Sequence, residues 1–86
     1  MEIYEMPRLE GETNSDYVYR SLRESIIRIT LRPGEIISEP LLQNYFQMSR
    51  SPIREALSIL KHENLLSVAP KSRTQVVLMN KRLLME

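Results

Sequence analysis

The chain has 86 residues, enough for one small domain, and its lack of cysteine excludes both a disulfide framework and a thiolate metal site. It has no apolar run near the ~20 residues of a membrane span, and its N-terminus is acidic where a signal peptide would be basic, so we expect a cytoplasmic protein. The net charge of +1 conceals a division: residues 1–16 hold five acids and one base, whereas residues 17–86 hold eleven bases and six acids, a balance that suits a polyanionic partner.

The first helix is predicted over about residues 15–29. Residues 1–14 before it show no helical or strand period and are interrupted by Pro7 and Gly11, which indicates a flexible arm. Residues 13–16 are all helix-capping types, and apolar residues then recur at helical spacing. These apolar positions are Val18, Leu22, Ile26 and Ile29.

A turn, a short strand and a second helix are predicted next. The proline–glycine pair at 33–34 stops any helix, because the residue before a proline avoids the α region, and two isoleucines at 36–37 favour a short strand. Ser38 is a candidate N-cap for the second helix, and Pro40 is tolerated in the first turn. An apolar face over about two turns places the end of this helix near Phe46.

The third helix is predicted to begin at about Ser49, some three residues after the second ends. The Ser49 hydroxyl can accept a hydrogen bond from a free backbone N–H one turn on, and Pro52 is tolerated in a first turn. The helix is expected to end near Glu63, because Asn64 tolerates the left-handed backbone that ends many helices. Two helices joined by so short a segment cross steeply, which is the helix-turn-helix arrangement.

Polar residues gather at the N-terminal end of this third helix. Arg50, Ser51 and Arg54 lie off its apolar face, at the end where the helix dipole is positive. Arginines on a polar helix face are usually only solvated. Two arginines and two hydroxyls at one helix tip also suit the hydrogen-bonding edges of the DNA major groove.

A hairpin is predicted to follow. Residues 65–69 and 74–78 are strand-like, and the turn between them places Lys71 and Arg73 at its tip, where cationic side chains suit an electronegative minor groove. The order of elements is that of a winged helix-turn-helix: mainly α, with three helices and a wing sheet of two to three strands. We expect this domain over residues 15–79, followed at 80–86 by the start of a linker or a truncated C-terminal region.

Four segments carry a family resemblance. They are Tyr19-x-x-Leu22-Arg23-x-x-Ile26-Ile27, Leu31-Arg32-Pro33-Gly34-Glu35, Ser38-Glu39 and Met48-Ser49-Arg50-Ser51-Pro52-Ile53-Arg54-Glu55-Ala56-Leu57-x-x-Leu60. They look like the DNA-binding domain of GntR-family bacterial transcription regulators, most closely the subgroup with a FadR-like (FCD) effector domain. The resemblance covers about residues 16–78, and the Ser-Arg-Ser-Pro-Ile-Arg-Glu-Ala-Leu block is its most specific part.

The resemblance implies a sequence-specific transcription regulator, with repression as the expected mode. Its recognition helix, residues 49–63, would enter the major groove of a palindromic operator in double-stranded DNA, and its wing, residues 70–74, would reach the minor groove. The arginines would contact bases or phosphates, and the serines of the helix tip would contact the DNA backbone. The implied DNA-binding residues are Ser49, Arg50, Ser51, Arg54, Lys71, Ser72 and Arg73. Either the chain is the DNA-binding part of a longer protein, which we favour, or it acts alone. In the first case effector binding and homodimerisation would belong to a missing C-terminal domain, so we expect this chain to bind no cofactor or metal.

Several positions depart from the family pattern. Glycine is usual in the family where this chain has Ile29, Gln47, Asn64 and Arg73. Gln47 lies in the helix–helix turn, where left-handed backbone would cost a non-glycine residue ~1 kcal/mol. Arg73 would replace the wing-tip glycine and add a side-chain contact in place of a close backbone approach. Pro40 stands where some members carry an arginine that contacts DNA, so that contact is absent here.

Two other classes of function compete with DNA binding as interpretations of the sequence. A winged helix also serves as a protein–protein interaction module, although such modules usually lack paired arginines at the helix tip. An enzyme is not expected, because the sequence offers no Gly-rich phosphate loop, no metal-ligand cluster and no nucleophile with a plausible base. The single histidine, His62, is expected to be a cation that favours the C-terminal end of the third helix.

Overall fold

A computed structural model describes residues 1–77 and has the predicted winged helix-turn-helix architecture. Its elements in chain order are α1 (Asn14–Ile27), β1 (Ile36–Ile37), α2 (Glu39–Phe46), α3 (Arg50–His62), β2 (Leu66–Ala69) and β3 (Arg73–Val76), with a 3₁₀ turn, Pro70–Ser72, between the last two. The predicted linker at 80–86, and the end of the second predicted hairpin strand at Leu78, lie outside the described residues. Within residues 1–77, no helix is long and apolar enough to cross a membrane.

One apolar cluster joins the helices to the sheet. The apolar face predicted for α3 is buried, and α1 packs against it. The cluster also takes in one face of the sheet and the segment between α1 and β1. Its members, each at most 5% exposed, are Val18, Leu22, Leu31, Ile37, Leu42, Ile53, Ala56, Leu57, Leu60, Leu66 and Val76.

The buried face of α1 includes two serines that the apolar pattern did not indicate. Ser21 and Ser25 are 1% and 0% exposed. Ser25 Oγ donates to Ser21 O at 2.7 Å and accepts a hydrogen bond from the Tyr4 amide N–H at 2.8 Å. A buried hydroxyl without partners would cost ~1–3 kcal/mol. These bonds remove that cost and attach the N-terminal arm to α1.

Shortly after each of the helices α1, α2 and α3 comes a non-glycine residue in left-handed backbone, namely Ile29, Gln47 and Asn64. In each case the next amide N–H donates to the carbonyl five residues earlier: Thr30 to Ser25, Met48 to Gln43 and Leu65 to Leu60, at 2.9, 3.1 and 3.0 Å. This closure turns the chain back toward the core. α1 therefore ends at Ile27, before its predicted end, and Ile29 is 50% exposed instead of lying on the buried face.

β3 is the middle strand of the sheet and runs antiparallel to both neighbours. Across the ladders Thr74 pairs with Ile37 of β1, and Val76 pairs with Leu66 of β2. The Pro33-Gly34 turn leads into β1 and needs its glycine, whose φ is 84°. The Gly34 amide N–H donates to Val76 O at 2.9 Å, which joins the turn to the end of β3.

Residues 1–13 of the N-terminal arm form no helix or strand, and Asn14, counted in the predicted arm, begins α1; the arm nevertheless contacts α1 closely. The Glu12 carboxylate accepts from Arg20 Nε and Nη2 at 2.8 and 2.9 Å. Tyr17 Oη donates to Met6 O at 2.8 Å, and the Tyr17 ring lies edge-on to Phe46 of α2 with centroids 5.7 Å apart. The arm is thus connected to α1 directly and to α2 through Tyr17, while its flexibility stays a prediction.

Candidate nucleic-acid interface

The corner between α2 and α3 is short because Gln47 turns the chain with left-handed backbone, at φ 56° and ψ 51°. The Gln47 side chain supports this turn, since its Nε2 donates to Asn44 O at 2.6 Å. At the other end of α2, Ser38 Oγ accepts the Leu41 amide N–H at 3.3 Å, the predicted cap. Leu42, a residue of α2, is fully buried. The cap at Ser38 and the buried Leu42 therefore hold α2 in place, and the Gln47 turn sets where α3 begins relative to it.

The N-terminal end of α3 exposes every polar residue predicted to bind DNA there. Ser49, Arg50, Ser51 and Arg54 are all exposed, whereas Ile53 in the same turns is fully buried. The helix period separates the two sets, because the buried residues face α1 and the sheet. The structure therefore brings two guanidinium groups and two hydroxyls to one exposed end of one helix.

Ser49 precedes α3, as predicted, but its side chain does not cap the helix. Its φ of −73° and ψ of 177° are those of an N-cap residue, yet its Oγ receives no hydrogen bond from the first turn of α3. The expectation that this hydroxyl satisfies a backbone N–H is therefore wrong. The hydroxyl and the free N–H groups of the first turn are both left for an outside acceptor, and a helix N-terminus favours anions such as phosphate.

Arg54 has a partner that the sequence analysis did not name. Arg54 Nε donates to Glu39 Oε1 at 3.2 Å, across the corner between α2 and α3. The Arg54 side chain is 60% exposed and the Glu39 side chain 31% exposed. Glu39 is the first residue of α2, and the crossing of the two helices brings it to Arg54. The cap at Ser38 locates Glu39 in a first turn, but no sequence signal says which residue of α3 it meets.

The turn between β2 and β3 corrects the expectation for the wing. Lys71 and Ser72 hold left-handed backbone, with φ of 66° and 60°. Arg73 is extended, with φ −83° and ψ 150°, and it begins β3 opposite Ala69. Arg73 therefore lies at the base of the turn and not at a tip position that requires glycine. All three side chains are exposed.

Other polar groups lie away from this end of α3. His62 is exposed and is the last residue of α3. Tyr19 Oη donates to the Glu63 carboxylate at 2.8 Å, and burial together with that carboxylate raises the pKa of Tyr19. In the part of the chain that the structure describes, no group of three or more His, Cys, Asp and Glu side chains is placed to hold a metal ion.

Comparison with known proteins places this geometry among bacterial regulators. Residues 14–76 match the family described as "Bacterial regulatory proteins, gntR family". An uncharacterized HTH-type transcriptional regulator in an unstable DNA locus of Streptomyces ambofaciens is 38% identical over 66 residues, which are 77% of this chain and 28% of that protein. The HTH-type transcriptional repressor RspR of Escherichia coli (strain K12) is 34% identical over 59 residues, 69% of this chain and 26% of that protein.

A solved structure shares the fold as well as the sequence. E. coli McbR/YncC matches with a TM-score of 0.76 and 32% identity, over 86% of this chain and 35% of that one. The two curated relatives are aligned over about a quarter of their own length. The similarity is therefore to one part of longer proteins, and it is the part that carries the helix-turn-helix.

Proposed function

We propose that this chain, which belongs to the GntR family of bacterial regulatory proteins, binds an operator with the N-terminal end of α3 and the β2–β3 turn. Family membership makes the chain a DNA-binding domain of a transcription regulator, and its relatives are named as such. They are named as regulators and not as enzymes, and they lend no support to a protein-interaction module. We place its action in the cytoplasm, because a bacterial transcription regulator works there.

The observation that carries the proposal is the exposed polar end of α3. Arg50 and Arg54 supply the planar donors that recognise guanine in the major groove. Ser49 and Ser51, together with the free N–H groups of the first turn, supply short donors for phosphate, and phosphate contacts set the register of a protein on DNA. One helix end thus carries both kinds of contact that sequence-specific binding needs.

The wing contributes a second contact in this proposal. Lys71 and Ser72 project from the β2–β3 turn, and Arg73 stands at its base. Cationic side chains of this kind are attracted to the negative potential of a narrow minor groove. Lys71 is expected to contact phosphate, so its contribution should be largely independent of sequence.

The operator is proposed to be palindromic and to be bound by a homodimer. One winged helix covers one half-site, and two domains related by a two-fold axis bind half-sites about one helical turn apart. The aligned relatives are about four times as long as the aligned segment, which leaves room for a dimerising and effector-binding domain of the FCD type. Repression is the proposed mode, by analogy with the relative named as a repressor.

The direct test is to compare Arg50→Ala with Lys71→Ala in fluorescence anisotropy titrations of a cognate and a scrambled duplex. Arg50→Ala should cost ~1–3 kcal/mol at the cognate site and relax base preference. Lys71→Ala should weaken binding to both duplexes alike. It should also reduce the slope of the logarithm of the binding constant against the logarithm of salt concentration by about one. Lys61→Ala, at the opposite end of α3, is the charge-matched control. Unchanged cognate binding by Arg50→Ala would refute the assigned role.

A further inference from the structure

We propose that Glu39 is a specificity-determining residue, which holds the Arg54 guanidinium so that its two terminal nitrogens face a guanine as a fork. The inference rests on the proposed function, because it takes the exposed end of α3 as the surface that reads bases. It starts from one contact, the 3.2 Å hydrogen bond from Arg54 Nε to Glu39 Oε1.

The choice of nitrogen decides what Arg54 can still donate. A guanidinium has five N–H donors in one plane, one on Nε and four on the two Nη atoms. Glu39 occupies the Nε donor and leaves the Nη end free. Two parallel N–H groups at that end match the O6 and N7 acceptors of guanine in the major groove. A side chain already held in this orientation also loses less rotamer entropy when it binds.

Glu39 is well placed to hold its partner still. It is the first residue of α2 and is followed by Pro40, whose ring restricts the backbone at that point. A carboxylate there is favoured by the positive end of the α2 dipole. Its side chain is half as exposed as that of Arg54, at 31% against 60%. The acid is therefore the anchored member of the pair, and the arginine is the member that reaches outward.

The Glu39–Arg54 pair is proposed to act on binding specificity, and we expect it to change the free energy of unfolding only a little. Exposed ion pairs contribute little to the stability of a protein. An acid beside a DNA-binding surface repels phosphates, so it weakens binding that depends on phosphate contacts alone. Binding to the correct site keeps the guanine contact that Glu39 orients. Glu39 thus widens the difference between specific and non-specific affinity.

The test uses the duplex that the wild-type chain selects and a set in which each guanine is replaced in turn. We expect Glu39→Ala to reduce the preference for one guanine by about tenfold, the same guanine at which Arg54→Ala loses preference. Glu39→Gln should keep most of that preference, because its amide oxygen can still accept from Nε. Both Glu39 variants should bind scrambled duplex more tightly than the wild type does.

Ser38→Ala is the matched control, because it removes the cap of the same helix and leaves the Glu39–Arg54 contact in place. It should lower the thermal midpoint and retain the guanine preference. A Glu39→Ala chain with wild-type preference at the guanine read by Arg54 would overturn the inference alone, as would an equal loss in Ser38→Ala. Loss of the guanine preference in both Glu39→Ala and Glu39→Gln would support the inference and would show that the negative charge of Glu39 is needed as well. If Arg54→Ala keeps the wild-type preference at every guanine, the base-reading role proposed for Arg54 is wrong, and the role inferred for Glu39 is wrong as a consequence.

Discussion

Left-handed backbone at residues other than glycine recurs through this small domain. Within residues 1–77 it occurs at Ile29, Gln47, Asn64, Lys71 and Ser72. Asparagine tolerates this conformation, whereas a β-branched residue is the least suited to it because its Cβ substituents crowd the backbone. The Ile29 side chain is 50% exposed, so burial offsets little of its strain. We therefore expect left-handed backbone to cost more stability at Ile29 than at Asn64.

Replacing Ile29 by glycine should stabilise the domain. The relief of left-handed strain, ~1–2 kcal/mol, exceeds the entropic cost of glycine, ~0.5–1 kcal/mol, so Ile29→Gly should raise the free energy of unfolding by roughly 0.5–1 kcal/mol. Ile27→Gly is the matched control, since Ile27 is 52% exposed but helical, and it should be destabilising by up to ~1 kcal/mol. Urea titration measures both. An equal loss of stability in the two variants would contradict the strain at Ile29.

Residue identity predicted some of these conformations and not others. Gln47 was expected to be left-handed because it stands where the family usually has glycine, and it is. The same argument placed Arg73 at the wing tip, but the left-handed residues are Lys71 and Ser72. A tight turn between two strands can put positive φ at more than one position, and the register of the β2–β3 ladder decides which. That register depends on long-range pairing.

Among the elements, the N-cap positions of α2 and α3 and the capping segment 13–16 before α1 follow from residue type, but the bonds they make do not. Thr13 Oγ1 accepts the Asp16 amide N–H at 3.1 Å, and Ser38 makes the equivalent bond in α2. Ser49 makes none in α3. A side chain that makes no capping bond contributes little to the stability of its helix. Substitution by alanine should therefore change stability by different amounts at the three positions.

Alanine at these three positions should separate folding from binding. Thr13→Ala and Ser38→Ala should each cost ~1 kcal/mol of stability, because each removes a capping bond. Ser49→Ala should stay within ~0.5 kcal/mol of the wild type, as surface changes usually do, while it weakens DNA binding. Urea unfolding and duplex titration on the same variants give the comparison. Finding Ser49→Ala as destabilising as Thr13→Ala would show that Ser49 does cap α3.

The arm and α1 are joined by a contact that should be sensitive to acid. Hydrogen bonds from Arg20 and, next, from the Leu9 amide hold the pKa of Glu12 at about 2, below its ordinary 4.5. A lowered folded-state pKa means that the stabilisation is complete above about pH 4.5 and is lost as the pH falls toward 2. Glu12→Gln should be less stable at pH 7 and should lose less stability than the wild type between pH 5 and pH 3. Parallel pH dependences of the urea midpoint would contradict this.

The sequence predicted elements better than it predicted contacts between them. Apolar periodicity, Ser38 and the proline–glycine turn located α2, α3 and β1 closely, since each signal acts within a few residues. The buried serines of α1 and the Glu39–Arg54 pair were missed. Both depend on where distant segments cross: Ser25 receives Tyr4 from 21 residues away, and Arg54 meets an acid 15 residues earlier. Those crossings are set by the packed core and not by local pattern.

For the whole molecule, charge and specificity are carried by different parts. Residues 1–16 carry four more acids than bases, and the rest of the chain carries five more bases than acids. One acidic residue of the arm, Glu12, is already paired with Arg20 in α1. The basic remainder provides attraction to any duplex, which weakens as salt rises. In the proposed function, sequence preference comes from the few side chains at the end of α3.

The first experiment is a selection from a random duplex library with the 86-residue chain at two salt concentrations. We expect one short motif, a single half-site containing guanine, to be enriched at both concentrations and bound more weakly at the higher one. Salt-sensitive binding with no enriched motif would contradict base reading by α3. No binding even at low salt would contradict the DNA-binding interface as a whole.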